Sequence, residues 1–158
     1  MRSLLVIALL SISATALAQD NTLELLRQDL KTQKVAIMTA SLPLTETQAD
    51  AFWPIYREYG LELSKLGDRR MVMLKKYAAN IDKIDDKMAD ELVKESIGIA
   101  NDRNDLLEKY YKKAAKAVGT VTAARFLQVE NQMLTLIDAQ IIDQVPLVKP
   151  AKTTQEKK

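Results

Sequence analysis

Catalysis needs acids, bases and nucleophiles, and this chain offers few of them. None of its 158 residues is His and none is Cys. It therefore has no imidazole base, no thiol nucleophile, no disulfide, and no nitrogen or sulfur site for zinc. A Ser-His or Cys-His pair cannot be assembled, which removes most hydrolase mechanisms. Carboxylates are what remain for acid–base work. Asp82, Asp85, Asp86 and Asp90 gather around an expected helix start, where negative charge complements the helix dipole, and they lack the Gly and the spacing of an EF-hand loop. No carboxylate pair has an evident cleft, so the chain is not expected to be an enzyme, and neither a cofactor nor a metal is expected. Met38, Met71, Met73, Met88 and Met133 could ligate only a soft ion such as Cu(I), but they fall at ordinary core spacing, which favours packing.

The side chains with more to offer are aromatic. Phe52, Trp53, Tyr56 and Tyr59 fall together, and Tyr110 and Tyr111 form a second group. They admit two readings. One is a core and dimer seam. The other is an adaptable binding surface, where Tyr and Met offer apolar area that tolerates different partner sequences.

The elements that carry these residues read as helices. The four Pro are Pro43, Pro54, Pro146 and Pro150, apolar residues recur at three and four, and nothing alternates with period two for long. Helix one is expected from Thr22 to Thr39, with a stripe of Leu23, Leu26, Leu30 and Ile37, ended by Ser41-Leu42-Pro43. A second helix begins at Leu44-Thr45-Glu46-Thr47-Gln48 and extends to Ala79, with Thr45 and Gln48 placed to form a T-x-x-Q capping box. At ~1.5 Å per residue it would be ~50 Å long. Pro54 removes the amide that would bond the Asp50 carbonyl, so a kink is expected there. Helix three is expected from Asp86 to Lys116 with Asp85 as N-cap, then Gly119 breaks the pattern. Helix four is expected from Val121 to Asp143, with Thr120 or Thr122 at its start. The fold class is all-α: four helices, two of them long and central, in a hairpin or bundle.

On a helical projection the second helix has an apolar arc wide enough to contact more than one neighbour, which suggests a bundle, a dimer or a bound partner. Three charges interrupt such arcs: Arg70 on helix two, Arg103 on helix three and Glu130 on helix four. They read as a partly buried charge cluster that fixes helix register, with ligand binding as the rival role. Glu130 is expected to lie near Arg70 or Arg103. In helix two, Gly60, Ser64 and Gly67 form a small-residue strip that suggests close helix approach or local bending.

The ends of the chain carry addressing information. Arg2, the apolar run Leu4–Leu10 and the small-residue site Ala16-Leu17-Ala18 read as a secretory signal peptide over residues 1–18, cleaved after Ala18. The run is short for a membrane span, so no membrane insertion of the mature chain is expected. Without the signal, 22 basic residues stand against 21 acidic ones, and the tail Lys149–Lys158 alone holds four Lys and one Glu. The body, residues 19–148, has a net charge of −2 and no basic stripe, which argues against nucleic acid as a partner. The tail is expected to be disordered.

Leu44–Tyr59, reading LTETQADAFWPIYREY, joins an L-T-x-x-Q helix start to an F-W-P-x-Y block. It resembles the periplasmic LTxxQ-motif family typified by Spy and CpxP. Val121-Thr122-Ala123-Ala124-Arg125 looks like a weakened copy of the first half, and Ile84–Met88 like a fainter one. The resemblance spans residues 22–148. It implies a small four-helix protein whose long helices form a curved antiparallel homodimer. Its concave side would bind exposed apolar segments of unfolded or partly folded client proteins without ATP. Alternatively, the chain would act as a regulatory module docking on an envelope-stress sensor protein, as some members do. Related members bind zinc, nickel or cobalt, and a chain without His or Cys departs from them. Localisation would be periplasmic.

Overall fold

The computed structural model describes residues 32–150, which contain helices and no strand. The all-α class expected from periodicity is the class observed. Helix α1 covers residues 32–41, α2 spans Glu46–Asn80, α3 spans Asp86–Val118 and α4 spans Thr120–Gln144. The start expected for helix one lies outside the described residues, as do the signal peptide and residues 151–158. No helix among the described residues is long and apolar enough to cross a membrane. Among the described residues, 32–41 belong to one compact unit and 42–150 to another.

Within the second unit, local chemistry sets the helix boundaries. Thr45 sits in extended conformation at the N-cap of α2, and its hydroxyl accepts from the Gln48 amide at 3.3 Å. Gln48 Oε1 in turn accepts from the Thr45 amide at 3.1 Å, completing the capping box. α2 then runs without interruption through Pro54 to Asn80. Asp85 caps α3 by accepting from the Met88 amide at 2.8 Å. At the third start Thr120 is the first helical residue, in line with the expectation, but neither Thr120 nor Thr122 is the N-cap. Gly119 stands there instead, with no side-chain cap bond and φ of 86°, a left-handed value that glycine adopts without Cβ strain. This single residue ends α3 and begins α4. Its amide donates to the Ala115 carbonyl and its carbonyl accepts from the Ala123 amide.

α2 and α3 form an antiparallel hairpin, and α4 folds back along α3. No Cα of α2 comes within 8 Å of one in α4, so those two helices meet through side chains alone. The core is concentrated where α3 turns into α4. The buried residues of α2 are Phe52, Tyr56 and Tyr59, all in its first half, and they face Tyr110 of α3 and Phe126 of α4. Toward the α2–α3 turn the apolar residues, such as Leu74, Tyr77, Met88 and Leu92, are only half-buried.

Along one edge the hairpin carries a ladder of ion pairs between α2 and α3. Glu58 pairs with Lys113 at 2.9 Å, Glu62 with Lys109 at 2.7 Å, and Lys76 with Glu91 at 2.9 Å. Arg69 bridges Glu95 at 3.1 Å and Asp102 at 2.5 Å. These side chains are solvated and screened by water, so each pair adds little to stability. Of the two roles offered for the small-residue strip, close helix approach is not found. A Cβ added at Gly60 or Gly67 would meet nothing within 4 Å, so no other helix approaches closely there among the described residues.

Candidate functional site

The candidate site is the seam between α2 and α4, where aromatic and charged side chains fill the space that the backbones leave. Phe126 of α4 is its centre. Phe52, Tyr56 and Tyr59 surround that ring at centroid distances of 5.5, 6.0 and 5.9 Å, each edge-on. These spacings follow from α2 itself, where residues 52, 56 and 59 share one face. Edge-on packing sets the positive rim of one ring against the negative face of another.

One turn beyond Phe126 lies Glu130, fully buried. Its Oε1 accepts from the Tyr59 hydroxyl at 2.8 Å and its Oε2 from the Tyr56 hydroxyl at 3.4 Å. A carboxylate in such a place is stabilised by donors aimed at it. The tyrosines feel the same arrangement in reverse: burial, then the Glu130 charge, push both hydroxyl pKa values well above the ordinary tyrosine range.

Two turns further along α4, Asp138 receives both inward arginines. Its Oδ1 accepts from Arg70 of α2 and its Oδ2 from Arg103 of α3, the latter at 2.7 Å. One carboxylate thus joins all three helices. Partial burial opposes its ionisation, but the hydrogen bonds from Arg103 and Arg70 outweigh that effect and hold its pKa below the usual aspartate value.

The sequence-derived residues are therefore redistributed. Arg70 and Arg103 do meet, but on Asp138, which sequence reasoning missed. Glu130, the third member of the expected cluster, lies two turns before Asp138 and accepts hydrogen bonds from Tyr56 and from Tyr59, which also feels the Arg103 charge. The available signal for Asp138 was its position eight residues after Glu130, close to the same face of α4. Of the proposed client surface, Phe52, Tyr56, Tyr59 and Tyr110 are buried inside one chain, which corrects the surface reading for those four. They are buried because α4 folds back over them. Trp53 and Tyr111 are half-buried. Tyr110 instead donates to Glu62 at 2.8 Å, anchoring the ion-pair edge to the core.

Gln48 does more than close its capping box. Its Nε2 donates to the Val118 carbonyl at 3.2 Å, supplying a partner to one of the carbonyls that a helix end leaves free. The L-T-x-x-Q segment therefore ties the start of α2 to the end of α3. The copies behave unequally. In the fainter one, Asp85 and the Met88 amide reproduce the Thr45–Gln48 cap, whereas Thr122 in the closer one lies inside α4 and caps nothing.

No group of three or more acidic residues among those described is arranged to hold a metal ion. Glu130 and Asp138 both hold helices together, with their oxygens turned to neighbouring side chains. Fold and seam together define an all-helical protein with a polar-stitched core. Compared with protein-family models, curated proteins and solved structures, the chain matches none.

Proposed function

We propose that this chain is an exported periplasmic binding protein with ATP-independent, chaperone-like activity toward exposed apolar segments of unfolded proteins. The apolar run Leu4–Leu10 with its Ala16-Leu17-Ala18 site supports export, and the Leu44–Tyr59 segment supports the likeness to the LTxxQ-motif family. The observation that carries the reading is the placement of large aliphatic residues on the outside of the hairpin. Leu61 and Val72 are exposed on α2, and Val93 and Ile97 on α3. Leu61 and Val72 are eleven residues apart, close to three full turns, and Lys65 and Asp68 lie between them on the same side. Aliphatic area interspersed with charge offers weak contacts to many sequences and strong contacts to none. With four of the aromatics committed to the core, this outer surface is where clients bind.

The test is suppression of aggregation for several unrelated unfolded proteins at near-stoichiometric ratios. The wild type should protect them, and Leu61→Ser with Val72→Ser should lose protection while retaining its helical circular dichroism. Failure with every client removes the reading. Saturable binding to one sensor domain, with no effect on generic clients, would assign the chain to the regulatory class instead.

A further inference from the structure

We infer that residues 145–149 form a strap that closes the open end of the α2–α3 hairpin and withholds its apolar residues from other apolar ligands. α4 is 25 residues long against 33 for α3, so it stops about 12 Å short of the α2–α3 turn. The half-buried residues of that end are Leu74, Tyr77, Ile81, Ile84, Met88 and Leu92. The chain after α4 takes up the missing length. It leaves the helix in extended conformation at Val145 and stays non-helical to Lys149, and five such residues span up to about 17 Å. Two contacts fix its path. The hydroxyl of Tyr77, in the last turn of α2, donates to the Pro146 carbonyl at 2.5 Å, and Lys149 pairs with Asp82 in the α2–α3 turn.

The fastening is polar at both ends and loose between them. Leu147 is 90% exposed and Val148 54%, so the strap buries neither of these side chains. The Lys149 and Asp82 side chains are 65% and 68% exposed, and a pair that open is weak and screened by salt. A segment with little buried apolar area opens at small cost, without disturbing the helices beside it. The strap is therefore a closure held by one hydrogen bond and one charge pair, and Lys149 carries the only charge between Val145 and Pro150. Its opening leaves the hairpin end as an apolar patch bordered by charge, a surface suited to apolar ligands. The inference concerns access to this end and does not rest on client binding at Leu61 and Val72.

The experiment is fluorescence of Nile red, a neutral dye that brightens on apolar surface, with the mature chain, the same chain ending at Gln144, and charge variants of the clip. Removal of the strap should raise the emission by about threefold or more. Asp82→Lys alone and Lys149→Asp alone should each raise it, because each opposes like charges. The two together should return it to the wild-type level, because they restore a pair of opposite sign. Tyr77→Phe keeps the ring and removes the donor, and should raise the emission less than removal of the strap. In about 1 M salt, where charges are screened beyond ~3 Å, the wild type should approach the shortened chain. Unchanged helical circular dichroism separates an opened strap from an unfolded helix. Asp82 and Lys149 are exposed, so the reversals read the clip even where the shortened chain folds poorly. Equal emission with and without the strap, or a double reversal as bright as the single ones, overturns the proposal whatever the aggregation assays show.

Discussion

The Tyr59 hydroxyl donates a 2.8 Å hydrogen bond to Glu130, joining two helices whose backbones do not touch. Because Glu130 is fully buried, its oxygens and the tyrosine hydroxyls give each other hydrogen-bond partners of the kind water would supply at a surface. Glu130→Ala should cost about 2–5 kcal/mol of unfolding free energy, since it leaves a cavity and two buried hydroxyls without this acceptor. Tyr59→Phe should cost about 1–3 kcal/mol. Urea denaturation of both single variants and the double variant checks the pair. A double variant less destabilised than the sum of the singles is the expected outcome, because each single change already removes the bond.

Asp138 gives acid sensitivity a definite sign. Its folded-state pKa is depressed despite burial, through hydrogen bonds from Arg103 and Arg70, so it contributes stability that is present above the unfolded-state value of about 4 and lost as pH falls through the folded one. Asp138→Asn removes that linkage. Between about pH 5 and about pH 2.5, the stability of the wild type should fall more steeply than that of the variant. Urea midpoints across this range supply the comparison. Parallel slopes would show that the two arginines do not depress the Asp138 pKa.

Alkali acts through the tyrosines. Burial and nearby carboxylates raise the folded-state pKa values of Tyr56, Tyr59 and Tyr110 above the ordinary value of about 10. In the unfolded chain these hydroxyls lose protons near that value, while in the folded chain they keep them. Stability from this source is therefore full below about pH 10 and declines as pH rises further. Ultraviolet titration should show these three phenols ionising together with unfolding rather than before it. Tyr59→Phe should reduce the alkaline loss of stability.

The two side-chain caps predict a contrast between similar sequences. Thr45→Ala should cost about 1 kcal/mol through loss of the N-cap. Gln48→Ala should cost at least as much, because it removes both the reach-back bond and the link to Val118. Thr122→Ala, in the segment that most resembles a second copy of the motif, should be close to neutral because Thr122 lies within α4. Thermal unfolding of the three variants would rank them, and a large loss at Thr122 would contradict the capping account.

What the sequence made legible was local. The Thr45–Gln48 box and the Asp85 cap are contacts three residues apart, where spacing nearly dictates geometry, and Gly119 marks a break that an L-residue would meet with strain. The helical periods gave the number of helices and the all-α class. Contacts between distant positions were not legible. Gln48 to Val118 and Arg70 to Asp138 span 70 and 68 residues, and no local rule ties such pairs. An apolar arc also reads alike whether a helix of the same chain or another molecule covers it. Phe52, Tyr56 and Tyr59 lie in the core because α4 returns over them, and that return depends on the turn at Gly119 rather than on the arc. Close approach at Gly60 and Gly67 was not legible for the same reason, since space near a backbone says nothing of what arrives to use it.

The ion-pair edge of the hairpin has a sequence order that constrains how α2 and α3 can be aligned. Along α2 the participating charges run acid, acid, base, base from Glu58 to Lys76, and along α3 they run in the complementary order from Lys113 to Glu91. Sliding α3 by two turns in one direction would set Asp102 against Glu62, and sliding it in the other would set Lys109 against Arg69. A chain collapsing in either shifted alignment would meet repulsion where the native one meets attraction. Pairs that add little to the finished structure thus act as a ratchet during its assembly, rejecting the neighbouring alignments that a long, repetitive helix would otherwise sample.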